Sequence, residues 1–232
     1  MRPSVRLTLA TALALLTLAG QAAPASAFEI FGIRLFGGDQ TPPSPDAIAY
    51  ETEVTVVGES RALTRQLSGA SRLVENSRDP SPSPAALLAT ARGDYQRLLS
   101  VLYSQGHYGG TISITVDGRE AADMPIDATV PDGAQVDLTI DPGPTYLFGN
   151  VSIVDRPGPI ADDRTVPKTP EELGLRPGEP AKSTVVLASE DALVARWRQN
   201  GYPKAKIAER TATARHPDDE LDVYMRAAPG RP

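Results

Sequence analysis

From Tyr50 to Pro142 the chain alternates apolar and polar residues, repeats them at helical spacing, then alternates again. Val54 and Val56 stand among Glu53 and Thr55, the period of a half-buried strand, and Gly58 ends it. Leu63, Leu67, Ala70 and Leu73 follow at helical spacing, and Asp79-Pro80-Ser81-Pro82 breaks the chain. Ser83 before Pro84 is a helix start, a capping hydroxyl followed by a ring that needs no N–H partner. The helix it opens carries Leu87, Leu88, Ala91, Tyr95, Leu98, Leu99 and Leu102 on one face and stops at Gly106. Ile112, Ile114 and Val116 then alternate with Ser113, Thr115 and Asp117, and Val136, Leu138 and Ile140 with Asp137 and Thr139. The order is strand, helix, helix, strand, strand.

The same order returns. Tyr146, Val151 and Ile153 predict a strand, Pro170–Leu173 a short helix, and Ser183–Asn200 a longer one with Val186, Leu193 and Trp197 on one face. A weaker strand is expected over Lys204–Thr213 around Ile207, and a last one where Leu221, Val223 and Met225 alternate with Asp222, Tyr224 and Arg226. Gly106 and Gly201 each close a long helix, and Asp141-Pro142-Gly143-Pro144 parallels Ala228-Pro229-Gly230-Arg231-Pro232 after the last strands. Residues 118–133 read as an insertion in the first repeat. Two prolines make the junction at Pro142–Pro144 stiff.

The amino terminus has a different pattern. Arg2 and Arg6 precede an apolar run from Leu7 to Ala19, and Ala25-Ser26-Ala27 has the small-x-small form of a cleavage site. Residues 1–27 are expected to be a secretory signal, followed by a linker over 28–49 with its apolar FEIFGIRLF stretch and several prolines. Cleavage would remove two of 23 Lys+Arg and none of 29 Asp+Glu, leaving a net charge of −8. That is the wrong sign for a nucleic-acid footprint. The chain has no Cys, so its repeats hold without disulfides and Cys/His zinc sites are excluded.

Catalytic chemistry finds no support. The sequence holds no HExxH, GxSxG or phosphate-binding loop, and its two histidines, His107 and His216, sit in expected loops. Asp162-Asp163 and Asp218-Asp219-Glu220 read as solvated turns. Trp197 reads as core. Tyr103, Tyr108 and Tyr202 gather near helix ends, where they pack helix on sheet or touch the junction.

Three stretches carry a family resemblance: LYSQGHYGGTISITVDGREAA at 102–122, VDLTIDPGPTYLFGNVSI at 136–153 and ARWRQNGYPKAKI at 195–207. With the repeated order and the Pro-Gly junctions, they resemble the POTRA region of TamA-like outer-membrane assembly factors, of the POTRA-domain/barrel superfamily related to BamA. His107 interrupts the Gly-Tyr pair that the second repeat keeps at Gly201-Tyr202. The resemblance implies an α+β fold: two tandem POTRA domains at 50–143 and 144–232, each β-α-α-β-β with a three-stranded mixed sheet and two helices on one face. It implies a periplasmic, non-enzymatic scaffold without cofactor. Its partners would be a TamB-like periplasmic protein and unfolded outer-membrane proteins. Family members carry a further POTRA domain and a membrane barrel, for which 232 residues leave no room. That leaves a fragment, a truncated gene product or a free-standing periplasmic scaffold of secretion or division. In the family topology the strand after the long helix is an edge, open to strand addition. The expected edges are Thr111, Ile112, Ser113, Ile114, Thr115 and Val116, and Lys204, Ala205, Lys206 and Ile207, unless neighbours cover them. Arg119 and Glu120, in the insertion hairpin, either contact a partner or form a tight turn.

Overall fold

A computed structural model describes residues 29–30, 33–34, 44–58, 60–159 and 168–232. The expected signal, most of the expected linker and Asp162-Asp163 lie outside the described residues. Glu29–Ile30 (β1) pairs antiparallel with Ile33–Arg34 (β2). The described residues from 44 onward belong to one compact unit with two mixed sheets, an α+β architecture.

The first repeat runs Tyr50–Val56 (β3), Arg61–Ala70 (α1), Arg72–Glu75 (α2), Pro84–Gln105 (α3), Thr111–Val116 (β4), Arg119–Glu120 (β5) and Ala134–Asp141 (β6). The sheet order is β3-β6-β4-β5, with β3 parallel and β4 antiparallel to β6. Central β6 alternates strictly: Val136, Leu138 and Ile140 are buried against the helices. Each such side chain contributes about 1.5–3 kcal/mol relative to exposure. The punctuation read from sequence acts as expected. Ser83 Oγ accepts from Ala86 N at 3.1 Å, Pro84 takes the first turn, and Gly106 closes α3 at φ 88°. Ser71 caps two ways, ending α1 and accepting from Val74 N to begin α2.

Inside the apolar face of α3 sits one carboxylate. Asp94 is fully buried and accepts from Ser71 Oγ at 2.6 Å, Arg72 N at 3.0 Å, Leu73 N at 3.0 Å and Arg97 Nη1 at 2.8 Å. It ties the start of α2 to α3. Tyr50 completes the tie by donating to Leu73 O at 3.0 Å.

The second repeat runs Leu147–Val154 (β7), Ser183–Gln199 (α4), Lys206–Arg215 (β8) and Glu220–Ala228 (β9), in sheet order β7-β9-β8. Leu221, Val223, Met225 and Ala227 of central β9 face α4. The helix expected at Pro170–Leu173 is a hydrogen-bonded turn instead. Leu173 N reaches Thr169 O, Leu175 N reaches Pro170 O, and Gly174 at φ 98° ends the turn before it propagates. Trp197 is half-buried rather than core: its Nε1 donates to Asp155 O at 3.0 Å, clamping a turn where Asp155 holds φ 59°.

The repeats meet across a tight joint. Tyr146 N donates to Gly106 O at 2.8 Å, and Ala181 N to Tyr146 O at 2.8 Å. His107 Nδ1 lies 3.2 Å from Pro144 O. Tyr108, from the loop after α3, packs into the second core.

Candidate functional site

The two expected edges behave differently. In β4, the ladder to β6 uses Thr111, Ser113 and Thr115, since Asp117 N continues that set by donating to Gln135 O at 2.8 Å. The main chain of Ile112, Ile114 and Val116 therefore points outward. Asp117 and Gly118, at φ 47° and 74°, make a two-residue turn that lays β5 against that side, Val116 opposite Arg119 and Thr115 opposite Glu120. Ala121 N then donates to Ile114 O at 2.8 Å. Ile114 N is shared at 3.2 Å between Tyr95 Oη and Glu120 Oε1, and Ser113 Oγ donates to Glu120 Oε2 at 2.7 Å. Tyr95 donates to the same carboxylate.

Glu120 is thus a latch over the edge, turned inward, while Arg119 is exposed. The insertion continues the cover. Ala121, Met124 and Val130 are buried in the first core, and Arg92 donates to the carbonyls of Ala121 and Met124. Among the described residues, only the outward groups of Ile112 in the Thr111–Val116 edge lack such a cover.

β8 has no such cover among the described residues; it pairs with β9 alone. Leu147 N donates to Asp219 O at 2.9 Å, which turns the odd residues of β9 toward β7. Glu220, Asp222 and Tyr224 then bond Arg215, Thr213 and Thr211 of β8, and the main chain of Arg210, Ala212 and Ala214 points outward. The open edge lies further along the chain than expected. Lys204 and Ala205 sit in the turn before β8, with Ala205 buried and its N–H on Tyr202 O, so neither offers an edge. Lys206 and Ile207 begin the strand, and a bulge follows between Ile207 and Glu209.

Beside this edge runs a groove of about 440 Å³. Ala212 and Ala214 form one wall and Val186 and Leu187 of α4 the other, with Leu221 also lining it. Leu187, a large apolar side chain, is 49% exposed. The Arg210–Glu190 ion pair, at 3.0 Å, marks one end. Tyr103, Tyr108 and His216 line the other. There Tyr103 stacks on Tyr108 with ring centroids 4.8 Å apart, Tyr108 meets Tyr146 edge-on at 5.6 Å, and Tyr146 Oη is 2.6 Å from His216 Nδ1. Burial, and then Tyr103 beside it, push the Tyr108 hydroxyl up to about 12. Burial also raises Tyr146. The Tyr108 and Tyr146 hydroxyls therefore stay protonated at ordinary pH. The outer side of β3 borders a second cleft, but Arg61 and Arg65 line it.

No protein-family model and no curated protein sequence matches the chain. Among solved structures it is similar to Haemophilus influenzae BamA POTRA3-5, at 14% identity and a TM-score of 0.45, over 80% of this chain and 66% of that one. It is similar to POTRA1-2 of the periplasmic domain of Omp85 from Anabaena, at 15% identity and a TM-score of 0.43, over 82% and 99%. It is also similar to the N-terminal domain of Omp85 from Thermosynechococcus elongatus, at 14% identity and a TM-score of 0.37, over 79% and 62%.

Among the described residues no group of three or more His, Asp or Glu is placed to hold a metal ion, and no helix is long and apolar enough to cross a membrane. His107 and His216 are spent on the joint. Asp218 and Asp219 lie in the turn between β8 and β9, as read, with Asp218 exposed and paired with Arg215; Glu220 instead begins β9 and pairs with the same arginine. The residues that sequence reasoning missed are Asp94, Leu187 and the outward set Arg210, Ala212 and Ala214. Asp94 had a signal, a charge at core spacing on α3. The edge had none, because which strands pair is not written in one strand's pattern.

Proposed function

We propose that this chain is the periplasmic POTRA region of an outer-membrane protein assembly factor of the TamA-like kind, binding client or partner polypeptides by strand addition at β8. The observation that carries the reading is the row of Arg210, Ala212 and Ala214, unpaired among the described residues, beside a groove walled by Val186, Leu187, Ala212, Ala214 and Leu221. Main-chain hydrogen bonds give affinity without sequence, and the groove selects apolar side chains at alternate positions. The repeated strand-helix-strand-strand order and the resembling stretches at 102–122, 136–153 and 195–207 support the POTRA assignment. A TamB-like protein and unfolded outer-membrane proteins are the partners it implies, and an exported chain with the expected signal at 1–27 would meet them in the periplasm.

Ala212→Pro tests the site. The substitution removes an outward N–H and no ladder bond, and edge strands accept proline there. Titrating labelled alternating peptides is expected to give saturable binding to the wild-type chain and at least a tenfold loss in the variant, with the melting temperature little changed. Equal affinity in both would place binding elsewhere.

A further inference from the structure

The groove at β8 is built by both repeats, and we propose that it takes an antiparallel strand with apolar residues on one face and an aromatic residue near its amino end. This inference rests on the strand-addition reading and adds the identity of the occupant. The first repeat supplies the template. There β5 lies antiparallel on β4, and the chain that follows buries Ala121 and Met124 against α3. The second repeat lacks that insertion and leaves the equivalent space beside α4 open, with Leu187 exposed. What the first repeat fills with its own chain, the second leaves for another chain. From Arg210 to Ala214 the edge is about 13 Å long at strand rise, enough for five residues. Small Ala212 and Ala214 leave room for larger side chains of the incoming strand.

The end wall comes from the other repeat. Tyr103 is on α3 and Tyr108 follows it, yet both line the groove of the second sheet. The wall is held firmly. Tyr108 packs into the second core, and Tyr146 braces it while bonded to His216. Gly109 lets the loop pass, since a Cβ there would stand 3.0 Å from Tyr146 Oη. A strand antiparallel to β8 places its amino end at this wall, where an aromatic ring meets Tyr103. Ring contacts of this kind change affinity roughly three- to tenfold.

The experiment titrates the full chain with two labelled peptides, Phe-Thr-Val-Thr-Val-Thr and Ala-Thr-Val-Thr-Val-Thr. Wild type is expected to bind the first roughly three- to tenfold more tightly. In Tyr103→Ala that preference should disappear while the second peptide binds as before. The peptide-side change reads the wall without altering the protein, so it stands if the variant folds poorly. Binding that is lost in Ala212→Pro but shows no aromatic preference, or keeps it in Tyr103→Ala, overturns the shared wall and leaves strand addition intact. No saturable binding of either peptide to wild type overturns both.

Discussion

Asp94→Ala is expected to destabilise the protein by about 3–5 kcal/mol, the cost of breaking a buried charged network by removing one partner. The carboxylate is fully buried and accepts from four donors. Three of them, Ser71 Oγ and the N–H groups of Arg72 and Leu73, cannot all find water once α2 is packed on α3. Each buried donor left unsatisfied costs about 1–3 kcal/mol. Arg97 loses least, because its side chain is 44% exposed. Urea unfolding reads the effect as a lower midpoint at unchanged slope. A loss below about 1 kcal/mol would mean that Asp94 is not the tie between the helices.

Gly110→Ala is expected to cost about 1–3 kcal/mol by overpacking the joint. A Cβ at this position would lie 2.9 Å from Asp141 O, 3.0 Å from Leu102 Cδ1 and 3.0 Å from Pro142 O. Two of these are main-chain oxygens at the junction, which cannot turn aside as a side chain would. Gly69 gives the contrast. It lies in α1 with nothing within 4 Å of a built Cβ. Gly69→Ala should therefore be neutral or stabilise by up to about 1 kcal/mol through helix propensity. Paired thermal melts compare the two; equal shifts would remove close packing as the reason for glycine at 110.

Elements whose limits are set by their own residues were legible in the sequence. Ser83-Pro84 and Gly106 bound α3, and the alternation of Val136, Leu138 and Ile140 marked β6. Elements decided by tertiary contact were not. Pro170–Leu173 has helical residues, but Gly174 ends it after one turn. Thr111–Val116 and Lys204–Ile207 read as equivalent edges, yet the insertion covers the first, and the second edge strand runs on to Arg215 with no described strand over it. Glu120 read as a partner contact or part of a tight turn, and its inward turn depends on Tyr95, 25 residues away. The tyrosines were visible near helix ends. That Tyr103 and Tyr108 serve the second sheet follows only from how the joint folds the chain back.

Amide hydrogen exchange at β8 tests the central claim most directly. In the free chain the outward N–H groups of Arg210, Ala212 and Ala214 should exchange fast, while those of Thr211 and Thr213, bonded to β9, are protected. Saturating the chain with an alternating peptide is predicted to slow the outward set and leave Ile112, the uncovered position of β4, as fast as before. Binding that leaves Arg210, Ala212 and Ala214 as fast as before would contradict strand addition at this edge.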